Sequence, residues 1–383
     1  MQWSNEDYQY MALALKLAKK GEYTARPNPM VGCVLVNQGK ELNQGKELNQ
    51  EKELNQEKIV GQGWHQNFGS AHAEINAIQQ AGNLTQGATC YVTLEPCAHT
   101  GKTGPCVDAL IEAGICKVIA AMQDPNPQVK GQGFAALTKA GIEVSYGLLE
   151  KQASELNRGF VSRFEQNKPW VSLKLAMSLD GATALADGSS QWITSKASRL
   201  NVQKLRAKQD AIITGIGTVL ADNPSLTVRG DDQLDWFESL QNFQQPIRIL
   251  LDRKAQADKN CQFFDDNGKV WWMVDEPSNE KKRTCNVAQM NTLTLEGLIL
   301  SCAKHGMNQV LIEAGHRLAG QFIQQNLVDE IIIYMAAKLM GNQAMGLVDL
   351  NVLKMSDCPQ LQLKSIDQIG DDIRLVYHPQ KQH

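Results

Sequence analysis

Two α/β domains in series are the architecture this sequence predicts, and three observations predict it. Short β-branched apolar runs alternate with amphipathic stretches at helical spacing, the pattern of strands layered against helices. The alternation stops once, at a polar helical stretch near residues 147–168, and then resumes. A chain of 383 residues is also long enough for two or three domains, each with its own core.

The elements follow in order. Ser4 and Asp7 form a capping box that opens a helix running through YMALALKLAKK to Gly21. MVGCVLV is a strand. Residues 37–58 then carry a six-residue unit in tandem, NQGKELNQGKELNQEKELNQEK. A six-residue step puts Leu42, Leu48 and Leu54 on no single helix face, and Asn, Gly, Lys and Glu are poor strand formers. The repeat therefore reads as a long hairpin or polar loop inserted between two strands, with a docking arm as the functional alternative. IVGQGWH is the returning strand. SAHAEINAIQQAG is a helix with Ser70 as candidate N-cap and Gly82 past its end. The strand ATCYVTLEPC, the helix PCVDALIEAG opened by Pro105, the strand KVIAAM, the helix FAALTKAG and the strand IEVSYG complete a first domain over 1–147. Residues 148–168 read as a linker helix, and 169–383 as the second domain. There VSLKLAM is a strand ending at the Asp180-Gly181 turn, and Thr194-Ser195 caps a helix through Arg206. AIITGIGT is a strand entering a glycine loop. The polar, aromatic segment 230–246 is a surface excursion, and IRILLD, VWWMV, QVLIEAG and EIIIYMAAKL are buried strands.

The balance of charge narrows the function. A formal net charge of -3 lacks the basic footprint of a dedicated nucleic-acid binder. No apolar run reaches membrane-spanning length, and MQWSNEDYQY has no basic and apolar leader pattern. Nine cysteines in this length are too sparse for a disulfide scaffold and fit a reducing cytoplasm. Cys33, Cys90 and Cys116 lie in apolar strand contexts and read as core thiols.

His72, Cys97 and Cys106 carry the clearest chemistry. Zinc takes thiolate and imidazole ligands, and a catalytic site uses three of them and leaves the fourth position open. Glu74, two residues after His72, is placed to move protons without binding metal. HAE followed by EPC is the arrangement of zinc-dependent hydrolytic deaminases. The departure is the second cysteine, because AHTGKTGP puts eight residues between the pair where the general pattern has two. A structural four-ligand zinc site, with His99 as the fourth ligand, is the competing reading. In the C-terminal half, TGIGT at 214–218 and EAGHRLAGQ at 313–321 are glycine-rich segments after strands. They suit a phosphate-bearing cofactor, or are only tight turns.

RPNPMVG, HAE, YVTLEPCAHTGKTGPC and AAMQDPNPQVKGQG, in this order, resemble the deaminase half of the RibD family of bifunctional riboflavin-biosynthesis enzymes. In that family the long gap between cysteines is normal. SLDG at 178–181, SQWITS at 190–195, TVLADNPSLTVR at 218–229 and EAG at 313–315 resemble its reductase half. The resemblance covers nearly the whole chain except the repeat. It implies a cytidine-deaminase-like α/β/α domain followed by a dihydrofolate-reductase-like α/β domain, with zinc and NADPH as cofactors. The implied substrate is a diamino-hydroxy-pyrimidine carrying phosphoribosylamine. Water replaces its 2-amino group, and hydride from NADPH then opens the ribosyl group to ribityl.

The resemblance also implies site residues. Asn28, His65, His99 and Lys102 would hold the ring and phosphate in the first domain. Ala176, Trp192, Thr218 and Asp222 would line the NADPH site, with the loop Gly315, His316, Arg317, Leu318, Ala319, Gly320 and Gln321. Lys174, Ser190, Arg206, Leu226, Arg229 and Glu313 would bind the sugar phosphate, arginines being suited to grip phosphate in a fork. Arg253 stands where the family carries a small hydroxyl residue. Its guanidinium either pairs with the cofactor 2′-phosphate, favouring NADPH over NADH, or points to solvent. Asp222 is the best candidate for a general acid. The family further implies a homo-oligomer, a dimer or tetramer, with no nucleic-acid or membrane partner. Two other readings stay open: a nucleoside or tRNA deaminase with an accessory domain, and a zinc-stabilised binding module.

Overall fold

The computed structural model describes residues 2–37, 58–98, 104–230, 243–264, 268–275, 287–291 and 294–380. The expectations for most of the repeat, for His99 and Lys102, and for most of the 230–246 excursion lie outside these residues. The chain divides into two compact units, Met1–Gln166 with Gln241–Phe243, and Asn167–Leu240 with Gln244–His383. Among the described residues no helix is long and apolar enough to cross a membrane.

In the first unit, α1 (Asn5–Ala18) opens with the expected capping box. Ser4 Oγ accepts from Asp7 N at 3.1 Å, and the Asp7 carboxylate accepts from Ser4 N at 2.8 Å. Strands β1 (Gly32–Val36), β2 (Ile59–Trp64), β3 (Thr89–Val92), β4 (Lys117–Ala120) and β5 (Glu143–Tyr146) form a sheet of order β2-β1-β3-β4-β5. β1 runs antiparallel to both neighbours, and β3, β4 and β5 are parallel. Side chains alternate across a strand, and both faces are covered here. Cys33, Leu35, Cys90, Val92 and Val118 pack with α2 (Ala73–Ala81), α3 (Cys106–Glu112) and α4 (Gln132–Lys139). Val34, Val36, Tyr91 and Ile119 pack with α1 on the opposite face. Burial on two faces is why β1 reads as an unbroken apolar run.

Three local expectations need correction. The N-cap of α2 is His72, not Ser70, whose hydroxyl closes a turn on Asn67 instead. The 148–168 stretch is not one linker helix. It is two helices, α5 (Glu150–Leu156) and α6 (Arg158–Gln166), that put Ala153 and Phe160 into the α1-side core. The break falls at Asn157, whose side chain leaves the helix to bond Met30 N at 2.8 Å and Met30 O at 2.9 Å. Cys33 and Cys90 are buried as core thiols, but Cys116 is exposed.

The second unit is built on β6 (Trp170–Ser178), β7 (Ala182–Ala184), β8 (Ala211–Gly215), β9 (Ile247–Leu251), β10 (Val270–Val274), β11 (Val287–Asn291), β12 (Gln309–Glu313), β13 (Glu330–Ala336), β14 (Met345–Gly346), β15 (Leu361–Ile369) and β16 (Asp372–Pro379). The main sheet has the order β11-β10-β9-β8-β12-β6-β13-β16-β15, and β7 pairs with β14 apart from it. From β11 to β13 every pairing is parallel, whereas β16 and β15 extend the sheet antiparallel. β6 lies between β12 and β13, so the chain reverses its order across the sheet at its first strand. Ligand clefts form at the carboxyl ends of parallel strands beside such a reversal. Helices α7 (Lys196–Ala207), α8 (Ile216–Asp222), α9 (Leu295–Lys304) and α10 (His316–Gln324) connect the strands. Ser195 caps α7 as expected. The TGIGT segment is not a glycine loop, because β8 passes directly into α8 at Gly215.

Candidate functional site

Three elements of the first unit deliver one donor each to a common point. His72 sits at the N-cap of α2, Cys97 follows β3, and Cys106 is the first residue of α3. His72 Nδ1 lies 3.2 Å from Cys106 Sγ and 3.6 Å from Cys97 Sγ, and the three donor atoms all lie within 4.8 Å of one another. Tetrahedral zinc, at ~2.1 Å from nitrogen and ~2.3 Å from sulfur, holds such donors about 3.5 Å apart. The donor set and its spacing thus fit zinc, with three protein ligands and one open position.

The surroundings favour thiolate. Cys97 Sγ accepts from the main-chain N–H of Cys106 at 3.4 Å. The Cys97 thiol is pushed down to about 4, chiefly by the hydrogen bond from the Cys106 thiol and then by His72. Cys106 is pushed up by that same bond, so Cys97 is the readier thiolate. Glu74 lies in the first turn of α2 and is buried. Burial raises its carboxyl above the usual range, and charge on Cys97 adds to the rise. A raised carboxyl is better suited to take a proton and return it. His65 is buried with its ring edge-on to His72 at 5.4 Å. His65 Nδ1 lies 3.2 Å from Ala71 O, so it carries the proton and donates, leaving Nε2 to accept from Asn28 Nδ2 at 3.1 Å. Burial lowers the His65 pKa, consistent with this neutral form.

Sequence reasoning passed over Glu95, the acid of EPC. It is buried, and its two oxygens accept four main-chain N–H groups from Asp124, Gly131, Gly133 and Phe134. The signal was a carboxylate in an apolar strand end, but its partners come from a loop about 30–40 residues later.

In the second unit an open cleft of about 1840 Å³ lies at the carboxyl ends of the parallel strands. A single small ligand needs ~300–1,000 Å³, so this cleft has room for two side by side. It brings together Lys174, Ser190, Arg206, Leu226, Arg229 and Glu313, the residues expected on the sugar-phosphate side. Ala176, Trp192, Thr218, Asp222, Arg253, Gly315, His316, Arg317, Leu318 and Gln321 also line it. Ala319 and Gly320 do not. Ala319 is buried in the main core, and a Cβ on Gly320 would sit 1.9 Å from Asp349 O. They occupy the inner face of α10, where the helix packs on its own unit.

The floor of the cleft is charged. Arg206 grips Glu313 with two hydrogen bonds, Nε–Oε1 at 2.6 Å and Nη2–Oε2 at 2.9 Å, and both side chains are buried. The expected phosphate fork is therefore already filled by a carboxylate. Lys174 lies near this pair, and desolvation lowers its ammonium below the ordinary lysine range despite Glu313. Asp222 accepts hydrogen bonds from Ser190 Oγ at 3.3 Å and Gln191 Nε2 at 3.4 Å. Trp192 is 63% exposed, with the Arg199 guanidinium 4.6 Å from its ring centre, so it is a rim residue and not core packing. Arg253 is exposed and paired with Asp275 at 3.1 Å.

Comparison with known proteins bears on both halves. A family model described as the cytidine and deoxycytidylate deaminase zinc-binding region matches residues 4–122, and one described as the RibD C-terminal domain matches residues 169–375. The chain is 45% identical to the riboflavin biosynthesis protein RibD of Escherichia coli (strain K12) over 97% of this chain and 98% of that one. Its fold is similar to Acinetobacter baumannii RibD, with a TM-score of 0.88 and 39% identity over 98% of this chain and 99% of that one. It is also similar to a diaminohydroxyphosphoribosylaminopyrimidine deaminase/5-amino-6-(5-phosphoribosylamino)uracil reductase from Thermotoga maritima. There the TM-score is 0.82 and the identity 31%, again over 98% and 99% of the two chains.

Proposed function

The chain belongs to the RibD family, and from that membership and its two sites we infer how one polypeptide performs two consecutive steps of riboflavin biosynthesis. It is a bifunctional enzyme, a zinc deaminase followed by an NADPH-dependent reductase. The observation that carries the residue-level reading is the three-ligand centre with a buried carboxylate beside it.

In the first step a pyrimidine amino group leaves as ammonia and water oxygen takes its place. Zinc, when bound, supplies a Lewis acid that lowers the pKa of water toward ~7. Glu74 accepts the proton that the attacking water loses and delivers it to the departing amine. Asn28 and His65 orient the substrate beside the centre, and His99 and Lys102 are proposed for its ring and phosphate on the resemblance alone. For the second step the cleft would hold NADPH, which when bound would supply the hydride chemistry that reduces C1′ of the sugar, and the ring oxygen released from C1′ then needs a proton. Lys174 is the proposed proton donor to that oxygen, in place of Asp222, because it is a half-buried ammonium that lines the cleft near Glu313. Glu313, held by Arg206, keeps Lys174 in position. Arg229 is exposed and lines the cleft, which suits it to the substrate phosphate better than the occupied Arg206. Trp192, Thr218, Gly315, His316, Arg317, Leu318 and Gln321 are proposed to hold the cofactor.

The substrate is proposed to be 2,5-diamino-6-(5-phosphoribosylamino)pyrimidin-4-one, and the product its deaminated ribityl derivative. A cytoplasmic setting and a dimeric or tetrameric assembly belong to the same proposal; sedimentation velocity checks the assembly. The test of the whole reading is incubation with this substrate, zinc and NADPH. Ammonia release together with NADPH oxidation is expected. A chain that releases ammonia and never oxidises NADPH lacks the second activity, and the reductase assignment then fails.

A further inference from the structure

We propose that Glu95 is a positioning residue for the metal centre, a clamp that fixes where Cys97 presents its sulfur. This rests on the zinc-deaminase reading above and extends it to a residue that takes no part in the chemistry.

The geometry points to a clamp. Glu95 Oε1 accepts from Gly133 N at 2.9 Å and Phe134 N at 3.3 Å, and Oε2 accepts from Gly131 N at 3.0 Å and Asp124 N at 3.2 Å. Four main-chain donors face it, the complement of a carboxylate held among main-chain amides. Two of these amides belong to the first turn of α4, where the helix dipole also favours negative charge. The main chain of Glu95 is held as well, since its N–H donates to Met122 O at 3.0 Å. Glu95 therefore fastens the end of β3 to the end of β4 and to the start of α4.

Cys97 is two residues further on, with Pro96 between them. Gly133 lets α4 lie against this segment, because a Cβ there would stand 2.0 Å from Pro96 O. Beyond Pro96, Cys97 O accepts from Val107 N at 3.2 Å and its sulfur accepts from Cys106 N. The cysteine is thus suspended between a rigid joint on one side and the first turn of α3 on the other. His72 and Cys106 arrive on helices. Cys97 arrives on a loop, and a loop donor needs such a joint to hold a metal bond distance.

Groups that orient metal ligands change metal affinity about 10–100-fold when removed. In Glu95→Gln one oxygen becomes an NH₂ group that meets two N–H donors, so the joint opens without loss of volume. Gly133→Ala leaves Glu95 intact and pushes α4 off Pro96 O. The experiment measures zinc affinity of the full chain by chelator competition, the thiolate-to-metal absorption of the cobalt-substituted protein, and NADPH oxidation on the deaminated intermediate. Both variants are expected to lose about 10–100-fold in zinc affinity and to shift the cobalt spectrum, with NADPH oxidation unchanged. Wild-type affinity and spectrum in both variants would overturn the proposal. So would parallel loss of the reductase activity, which would make Glu95 a general folding residue. A wild-type chain that takes up no zinc sinks the deaminase reading itself, an outcome separate from either of these.

Discussion

Removing the guanidinium of Arg206 tests how the reductase cleft is held together. Arg206 and Glu313 are 107 positions apart in sequence, and both are nearly inaccessible to water. Arg206→Met keeps most of the stem and deletes both hydrogen bonds to Glu313, together with a longer one to Thr227 O at 3.4 Å. Bonds to charged groups contribute about 1.5–3 kcal/mol each. Breaking one side of a buried pair costs about 3–5 kcal/mol, because the remaining charge is stranded. Lys174 still faces Glu313 and offsets part of this, which places the expected loss near 3 kcal/mol. Urea unfolding followed by tryptophan emission should show the second unit's transition about 1–3 M earlier, at a slope of ~1–3 kcal/mol per M. The doubly neutral variant Arg206→Met/Glu313→Gln should regain at least half of the loss, and neither variant should reduce substrate. A single substitution that costs under about 1 kcal/mol, or a double variant whose losses simply add, would refute the buried-pair account.

Other consequences follow from the two sites. Glu74→Gln should slow ammonia release by about 10²–10⁴-fold with zinc content unchanged; a smaller effect would mean that another group moves the proton. The rate of NADPH oxidation should fall on the alkaline side at a pH below the ordinary lysine value of 10.5, because rising pH strips the proton that Lys174 donates. In Lys174→Met that limb should be absent along with most of the activity, and persistence of the limb would assign it elsewhere. Arg253→Ala should reduce the preference for NADPH over NADH by about tenfold in kcat/KM, a modest figure because the group is exposed. Equal use of both cofactors by the unaltered enzyme would remove Arg253 from the cofactor site.

What was legible in the sequence was what is local or chemically rare. The capping box at Ser4 needs four consecutive residues, and it is present. His72 and Glu74 are two apart on one helix start, and a metal-binding chemistry singles out their cysteine partners. What was not legible depends on chain segments meeting. Nothing near Glu95 announces that residues 124–134 return to cover it. Nothing near Arg206 announces that a glutamate 107 residues later fills its fork. Glycine misled in two ways. Gly215 looked like part of a loop and is the direct joint between β8 and α8. Gly320 looked like part of a cofactor loop and is there because α10 touches backbone at Asp349. The β15–β16 pair escaped notice because its side chains are mostly exposed or half-buried, which leaves little apolar alternation to read.

The position of β6 sets a timetable for synthesis. It is the first strand of its sheet to leave the ribosome, yet its neighbours β12 and β13 are made about 130–160 residues later. At ~5–20 residues per second that is a wait of roughly seven to thirty seconds with an apolar strand unpaired. The first sheet has no such delay, since its last strand is complete at Tyr146. A nascent chain can therefore close its metal-binding half, and begin to compete for zinc, while the reductase half is still waiting for its centre.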